Sequence, residues 1–358
     1  MYRNTKNVPY YVFGRGSLAQ LGDLLKPRRE AVDGPVVYFV DHFFRDHELI
    51  GRLPMEKGDQ LHFVDSSSEP EVTRIDAFKE AVSAADSRTP CCVVGIGGGN
   101  ALDTAKAVAN LLTNPGNAED YQGWELVKNP AVYKIGIPTL SGTGSECSRT
   151  CVLTNIPKNL KLGMNSDYTV YDQLLLDPDL LATVPRDQYF YTGIDTFMHC
   201  VESLQGSYRN AIIDAFSVRA VQLCEEIFLS DDMMSEENRE KMMIASYIGG
   251  MAAGNVGVIH PFSAGLGVVL HVAHGLGNCL ALNVLGDIYP KEYKQFRTMI
   301  ERQGVNLPPG ICKDLTEEQY EGPYRGCIVH EKPLTNALGP DFKQILTKEN
   351  LIERYKSI

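Results

Sequence analysis

The sequence predicts an α/β protein in two parts, an N-terminal half built on a parallel sheet with helices on both faces and an all-helical C-terminal half. Three observations lead there. Strand and helix patterns alternate over the first half. Its strands are continuous apolar runs, as strands buried on both faces are. From about Pro185 onward the strand signals fade.

VVYFVD (36–41) is an apolar, β-branched run that ends in an acid. CCVVGIGGG (91–99) is a second, ending in glycines, and YKIGIP (133–138) is a third. Between them lie helical patterns such as Arg74 to Ala85. In the second half, RNAIIDAFSVRAVQLCEEIFL places Ile212, Phe216, Ala220, Leu223 and Ile227 on one helical stripe. ENREKMMIASYIGGMAA reads as another helix. The boundary falls near 178–185, around LDPDLLATVP, dividing the chain into 1–180 and 181–358. A chain of 358 residues suits two cores.

Hydrophobic content of 44% and charged content of 22% are globular values. A net charge of −11 argues against nucleic acid as a partner, because a polyanion wants a basic face. The opening MYRNTKNVPYYVF has no apolar signal-peptide core, and no run is long and apolar enough to insert into a membrane. The nine cysteines are scattered, with no CxxC pair, and read as reduced core thiols of a cytoplasmic protein.

Two small-residue turns each follow a strand. In the first, Gly95-Ile-Gly97-Gly98-Gly99-Asn100 leads into a helix expected to begin near Ala101. Glycines admit a pyrophosphate to the backbone, and a new helix offers free N–H groups and the positive end of its dipole. A tight strand-to-helix turn with no ligand reads the same way. Asp103, three residues after Asn100, is either a capping-box acid or a cofactor contact. The second turn, Pro138-Thr139-Leu-Ser141-Gly142-Thr143-Gly144-Ser145-Glu146, alternates hydroxyls with glycines. That composition suits phosphate, ribose or carboxamide, or simply caps the next helix. Asp41, ending VVYFVD, is either a turn residue or the acceptor for ribose hydroxyls, which would favour NAD over NADP.

GIDTFMHCVES places Asp195 and His199 four apart, one helical turn on one face. His260 and His274 follow in VIHPFSAGLGVVLHVAHGLGN. On one continuous helix these two would stand about 21 Å apart. Pro261, Gly265 and Gly267 offer places to break the helix, so the spacing allows a shared site without demanding one. Three imidazoles and one carboxylate suit zinc or ferrous iron better than calcium or magnesium. Taken singly, each is equally an ordinary buried polar residue.

Taken together and in order, these motifs resemble the iron-containing (group III) alcohol dehydrogenase family. GGGNALDTAK is similar to its GGGSxxDxAK, PTLSGTGSE to its PTTxGTGSE, and LDPDL followed by GIDTFMHCVES to its DPxL and GxDxxxHxxE region; His274-Gly275 matches its last ligand motif. The resemblance runs from Phe13-Gly-Arg-Gly16 to about Asn283. It implies a Rossmann-like N-terminal domain and an all-α C-terminal domain, an architecture shared with dehydroquinate synthase. It implies NAD(H) and one divalent metal, Fe2+ or Zn2+, held by Asp195, His199, His260 and His274. Gly97, Gly98, Gly99, Asp103, Thr139, Ser141, Thr143 and Ser145 would line the cofactor, with Asn100 and Asp41 beside them. Lys161, in KNLKLG, falls where the family often keeps a cleft lysine. Many relatives carry another histidine four residues after the third ligand; here that position is Ala264, and His271, read as one turn before His274, is either a substitute for proton relay or a structural residue beside the ligands. The chain is also similar to the subfamily that oxidises C8 of 3-deoxy-D-manno-octulosonate (Kdo), a carboxylated sugar that Arg149, Lys161 or Arg209 would contact. The expected partners are therefore a small sugar acid or alcohol and a second copy of the chain in a symmetric dimer.

Overall fold

A computed structural model describes residues 6–158 and 160–358. The chain divides into two units, Met1–Leu140 with Ser145–Thr183, and Ser141–Gly144 with Val184–Ile358. The division falls a few residues past 180, and the second unit recruits four residues from the hydroxyl-rich turn.

The first unit is built on a six-stranded, wholly parallel sheet. Its strands are β1 (Tyr10–Phe13), β2 (Val36–Asp41), β3 (Gln60–Val64), β4 (Cys92–Gly97), β6 (Lys134–Pro138) and β9 (Gln173–Leu176), in the order β1-β9-β6-β4-β2-β3. A small second sheet joins β5 (Gly123–Trp124), β7 (Thr150–Asn155) and β8 (Leu160–Asn165), with β7 and β8 antiparallel. Strand β2 shows why a buried parallel strand reads as one apolar run. Val37 and Phe39 enter the core beneath α2 (Val72–Ala85) and α3 (Gly99–Leu111), while Val36, Tyr38 and Val40 enter the core on the other face with Leu21 and Leu25 of α1 (Leu21–Ala31).

From β2 the chain winds outward to β3, then returns to place β4 on the other side of β2. The direction of winding therefore reverses between β2 and β4, and ligands of such sheets bind beyond the carboxyl ends of the strands at that point. The register pairs Val40 with Ile96, so Asp41 and Gly97 end the two strands level with each other.

The second unit is helical: α4 (Arg186–Gln205), α5 (Ala211–Phe228), α6 (Glu236–Gly249), α7 (Ile259–Leu270), α8 (His274–Val284) and α9 (Pro290–Gln303), then four shorter helices from Glu321 to Lys356. The inward stripe of α5 begins at Ile213, not Ile212, which is 67% exposed. The Asn210 side chain caps the helix by accepting from Ile213 N, which fixes that phase. The break between His260 and His274 also lies elsewhere than expected. Pro261 sits in the first turn of α7, where a missing N–H costs nothing, and Gly265 and Gly267 continue the helix. The chain turns instead at His271, whose φ of 55° is left-handed, and α8 opens at His274. His271 is exposed and is not on a common helix with His274, contrary to the sequence reading.

All nine cysteines are buried and none is in a disulfide. No single helix among the described residues is long and apolar enough to cross a membrane.

The start of β2 is held by a partly buried ion pair. Arg29 of α1 grips Asp59 with two bonds of 2.9 and 2.6 Å, while Asp59 accepts from Val36 N at 2.9 Å and Glu56 N at 2.8 Å. Burial opposes ionisation of Asp59, yet Arg29 and the two backbone donors hold its carboxyl below the usual range. A carboxyl whose folded pKa is depressed contributes stability above its unfolded value near 3.9, lost as pH falls through the folded value. Asp59→Asn is expected to lower stability at pH 7 by about 1–2 kcal/mol, because it leaves a partly buried Arg29 without its partner. Urea denaturation from pH 7 down to pH 3 should show the difference between variant and wild type shrinking as Asp59 protonates.

Candidate metal and nucleotide sites

Helix α4 turns one polar line into the interior of the second unit. Asp195 and His199 lie on it one turn apart, both buried, and Glu202 follows on the same face, also buried. His260 is the second residue of α7 and His274 the first of α8, so two helix starts deliver the other imidazoles. Ligand atoms of Asp195, His199, His260 and His274 all lie within 4.8 Å of one another. From the Asp195 carboxylate, the Nε2 atoms of His260, His274 and His199 stand at 3.1, 3.6 and 3.8 Å. The edge of a tetrahedron with metal bonds of roughly 2.1 Å is about 3.4 Å, so the donor set fits zinc or ferrous iron.

Surrounding residues hold these donors. Glu202 Oε2 meets His260 Nδ1 at 2.5 Å, and Glu202 Oε1 accepts from Ile259 N at 2.6 Å and Tyr289 OH at 3.0 Å. A carboxylate on the far nitrogen of an imidazole orients the ring and leaves Nε2 for the metal. Asn278, one turn after His274, donates to Asp195 Oδ1 at 2.7 Å. The other Asp195 oxygen is buried with no hydrogen bond among the described residues, a costly state for a carboxylate that a cation relieves. Burial opposes ionisation of Asp195, but His199, His274 and His260 together hold its carboxyl well below the ordinary range. Burial pushes His199 down to about 3 against the pull of Asp195, which leaves a neutral imidazole suited to ligation. At His260 burial is outweighed by Glu202 and Asp195, which raise it to about 9. Between those two carboxylates a divalent ion would compete with that proton.

Glu202, Asn278 and Tyr289 escaped the sequence reading. Glu202 had a usable signal, its helical phase with Asp195 and His199. Asn278, one turn after His274, had the same kind of signal; Tyr289 had none apart from the folded chain.

In the first unit the glycine turn lies at the reversal point of the sheet. Gly97 has φ 151°, and an added Cβ there would meet Ala101 Cβ at 2.6 Å and Asp41 Cβ at 2.9 Å, so only glycine fits. Helix α3 starts at Gly99 with Gly98 as its cap, two residues earlier than expected. Asp41 accepts from Phe43 N at 3.0 Å and Ser66 Oγ at 2.7 Å. Asn100 donates to Ser68 O at 2.9 Å and so ties down the loop after β3.

Asp103 is not a capping-box acid. One of its oxygens accepts from Ser145 Oγ and the other from Val152 N at 2.8 Å, and Lys106 stands 3.2 Å away. Lys106, with no exposed surface, donates to Ser145 O at 2.8 Å, to Ser148 Oγ at 3.2 Å and to Thr150 O. The pair clasps the end of the hydroxyl-rich turn to α3. At the other end Thr139 N donates to Gly97 O at 3.0 Å. Ser141 and Thr143 belong to the second unit.

The three cations considered for a substrate carboxylate are each engaged. Lys161, on β8, pairs with Glu69 at 3.0 Å; Arg149 pairs with Asp167 and Glu125, both at 2.6 Å; Arg209 pairs with Asp214 at 2.8 Å.

Glu202→Gln, which keeps the shape but removes the charge facing His260, is expected to weaken metal binding about 10- to 100-fold. Competition with a chromogenic chelator measures it; unchanged affinity would show that Glu202 does not support His260.

Two family models match the chain, iron-containing alcohol dehydrogenase over residues 9–178 and the C-terminal region of the Fe-containing alcohol dehydrogenase family over residues 189–319. The chain is 34% identical to a sulfoacetaldehyde reductase of Bilophila wadsworthia over 60% of its own length and 56% of that protein's. It is 29% identical to an NAD-dependent methanol dehydrogenase of Bacillus methanolicus, over 75% of this chain and 71% of that one. Its fold is similar to that of an alcohol dehydrogenase from Oenococcus oeni, with a TM-score of 0.84, 22% identity and 99% of each chain covered. The chain belongs to the iron-containing alcohol dehydrogenase family, whose members are oxidoreductases acting on CH–OH groups.

Proposed function

We propose that this chain is a metal-dependent NAD(H) alcohol dehydrogenase and that it oxidises the C8 hydroxyl of Kdo to the aldehyde. The observation that carries the dehydrogenase reading is the convergence of Asp195, His199, His260 and His274 from three helices onto one point. These four would hold one divalent ion, ferrous iron or zinc. When bound, the metal supplies Lewis acidity to an alcohol oxygen, and the dinucleotide accepts the hydride. The balance is an alcohol and NAD+ giving an aldehyde, NADH and a proton.

The chain's own groups orient these partners. Glu202 fixes the His260 ring, and Asn278 fixes the Asp195 carboxylate. The first turn of α3, with Gly97, Gly98, Gly99 and Asn100, offers backbone donors and the helix dipole to a pyrophosphate. Asp41, level with Gly97 at the strand ends, would take the adenosine ribose hydroxyls and repel a 2′-phosphate. Thr139, Ser141, Thr143 and Ser145 supply hydroxyls along the second turn. Asp103 contributes through Ser145 and Val152, as a holder of that turn. Lys161 and the exposed His271 are the candidates for substrate contact and proton exit, with Ala264 apolar and buried.

The Kdo assignment rests on resemblance of sequence. A second reading is reduction of a short anionic aldehyde, favoured by the relative that is a sulfoacetaldehyde reductase.

Purified protein with NAD and Kdo is expected to raise absorbance at 340 nm, and a chelator should abolish the rise. A rise with other alcohols and none with Kdo would reject the sugar but keep the dehydrogenase. Bound metal and nucleotide without net NADH under any alcohol would point to a lyase that reoxidises its cofactor within each cycle. Asp195→Ala is expected to lose metal and to lower turnover about 100-fold or more; full metal and full turnover would reject the ligand set. Gly97→Ala should weaken NADH binding, read by nucleotide fluorescence, while metal content stays whole.

A further inference from the structure

The turn Ser141–Gly144 belongs to the same unit as helix α4, and two buried hydroxyls join it to that unit's helices. Gly142 N donates to Ser246 Oγ of α6 at 2.8 Å, and Thr196 Oγ1 of α4 donates to Gly142 O at 2.9 Å. Neither Thr196 nor Ser246 has exposed surface. A threonine inside a helix ordinarily returns its hydroxyl to the carbonyl four residues back. For Thr196 that carbonyl is Thr192 O, yet the hydroxyl goes to Gly142.

The turn lies hard against α4. Gly142 has φ 148°, and an added Cβ would stand 1.7 Å from Thr192 O. At Gly144 an added Cβ would stand 2.3 Å from Gly250 Cα. Beside them Ser141 Oγ is buried with no hydrogen-bond partner among the described residues. A buried hydroxyl without a partner calls for one, and a ligand seated against the turn would supply it.

We infer that Thr196 and Ser246 are positioning residues for the dinucleotide, fixing the Gly142 peptide so that Ser141 stands at a set place along the helix that carries Asp195 and His199. Thr196 directly follows a metal ligand in sequence. A shift of the turn along α4 would therefore change the placing of the cofactor contact against the ligand set, without touching either ligand. Hydride transfer needs the reacting carbons about 3–3.5 Å apart, so a small shift is costly.

This inference rests on the dehydrogenase reading. The experiment uses metal-loaded full-length protein and titrates NADH by its fluorescence in wild type, Thr196→Val and Thr196→Ser. Valine keeps the shape and removes the hydroxyl; serine restores it. The expected result is about tenfold weaker NADH binding and lower kcat for valine, recovery of most of the affinity by serine, and full metal content throughout. A purely structural role would lower Tm and leave NADH affinity unchanged, and that result overturns the inference. So does loss of affinity together with metal. If Thr196→Val does not fold, Ser246→Ala, which removes the acceptor of Gly142 N–H, decides by the same measurements. Wild-type protein that binds no NADH would reject the dehydrogenase reading itself; wild type that binds NADH no better than the valine variant rejects only the positioning role.

Discussion

The second unit is organised around a charge that has no access to water. Asp195 sits in the middle of a 20-residue helix with no exposed surface. An ionised carboxylate in such a place is tolerable only if donors or cations surround it. Three imidazoles and the Asn278 amide do so here. The demand then passes outward: His260 needs Glu202, and Glu202 needs the first amide of α7 and the Tyr289 hydroxyl. The placing of α4, α7 and α8 around one point follows from satisfying that carboxylate, and the same arrangement suits a divalent ion.

The first unit obeys a different constraint. Its sheet is parallel and covered on both faces, so polar chemistry is confined to the strand ends. The winding reverses at the carboxyl ends of β2 and β4, and there a single glycine keeps the gap between Asp41 and Ala101 open. Asp103, a candidate cofactor contact in the sequence, and the buried Lys106 are used to hold the hydroxyl-rich turn against α3. They act on the backbone that would meet a ligand.

Those constraints explain what was legible in the sequence. The strands VVYFVD, CCVVGIG and YKIGIP stood out because burial on both faces leaves no polar alternation to confuse them. Asp195 and His199 stood out because helical period alone relates them. His260 and His274 needed a chain break, and the residues that usually mark one, Pro261, Gly265 and Gly267, all continue the helix. The turn is made by a histidine in a left-handed conformation, a rare state for any residue but glycine and one that a lone histidine signals only weakly. On α5, Ala220, Leu223 and Ile227 face inward as expected, and only the start of the stripe differs, at Ile213 instead of Ile212, because two isoleucines stand side by side and the Asn210 cap chooses between them. The β7–β8 hairpin was missed because the buried positions of β7 are Cys151, Leu153 and the polar Asn155 while the apolar Val152 lies between them half-buried, so TCVLTN shows no clean apolar alternation.

The four-residue excursion at Ser141–Gly144 bears on modularity. A fragment beginning at Val184 would hold every helix of the second unit yet lack the peptide that occupies the Thr196 and Ser246 hydroxyls. Those groups would face an empty slot lined by Thr192 O and Gly250, beside the helix that bears two of the four clustered residues. The helical half is therefore not a cassette that recombination could cut at a single junction and graft elsewhere. During synthesis its missing piece leaves the ribosome before any of its helices, and must wait for α4 and α6 to form around it.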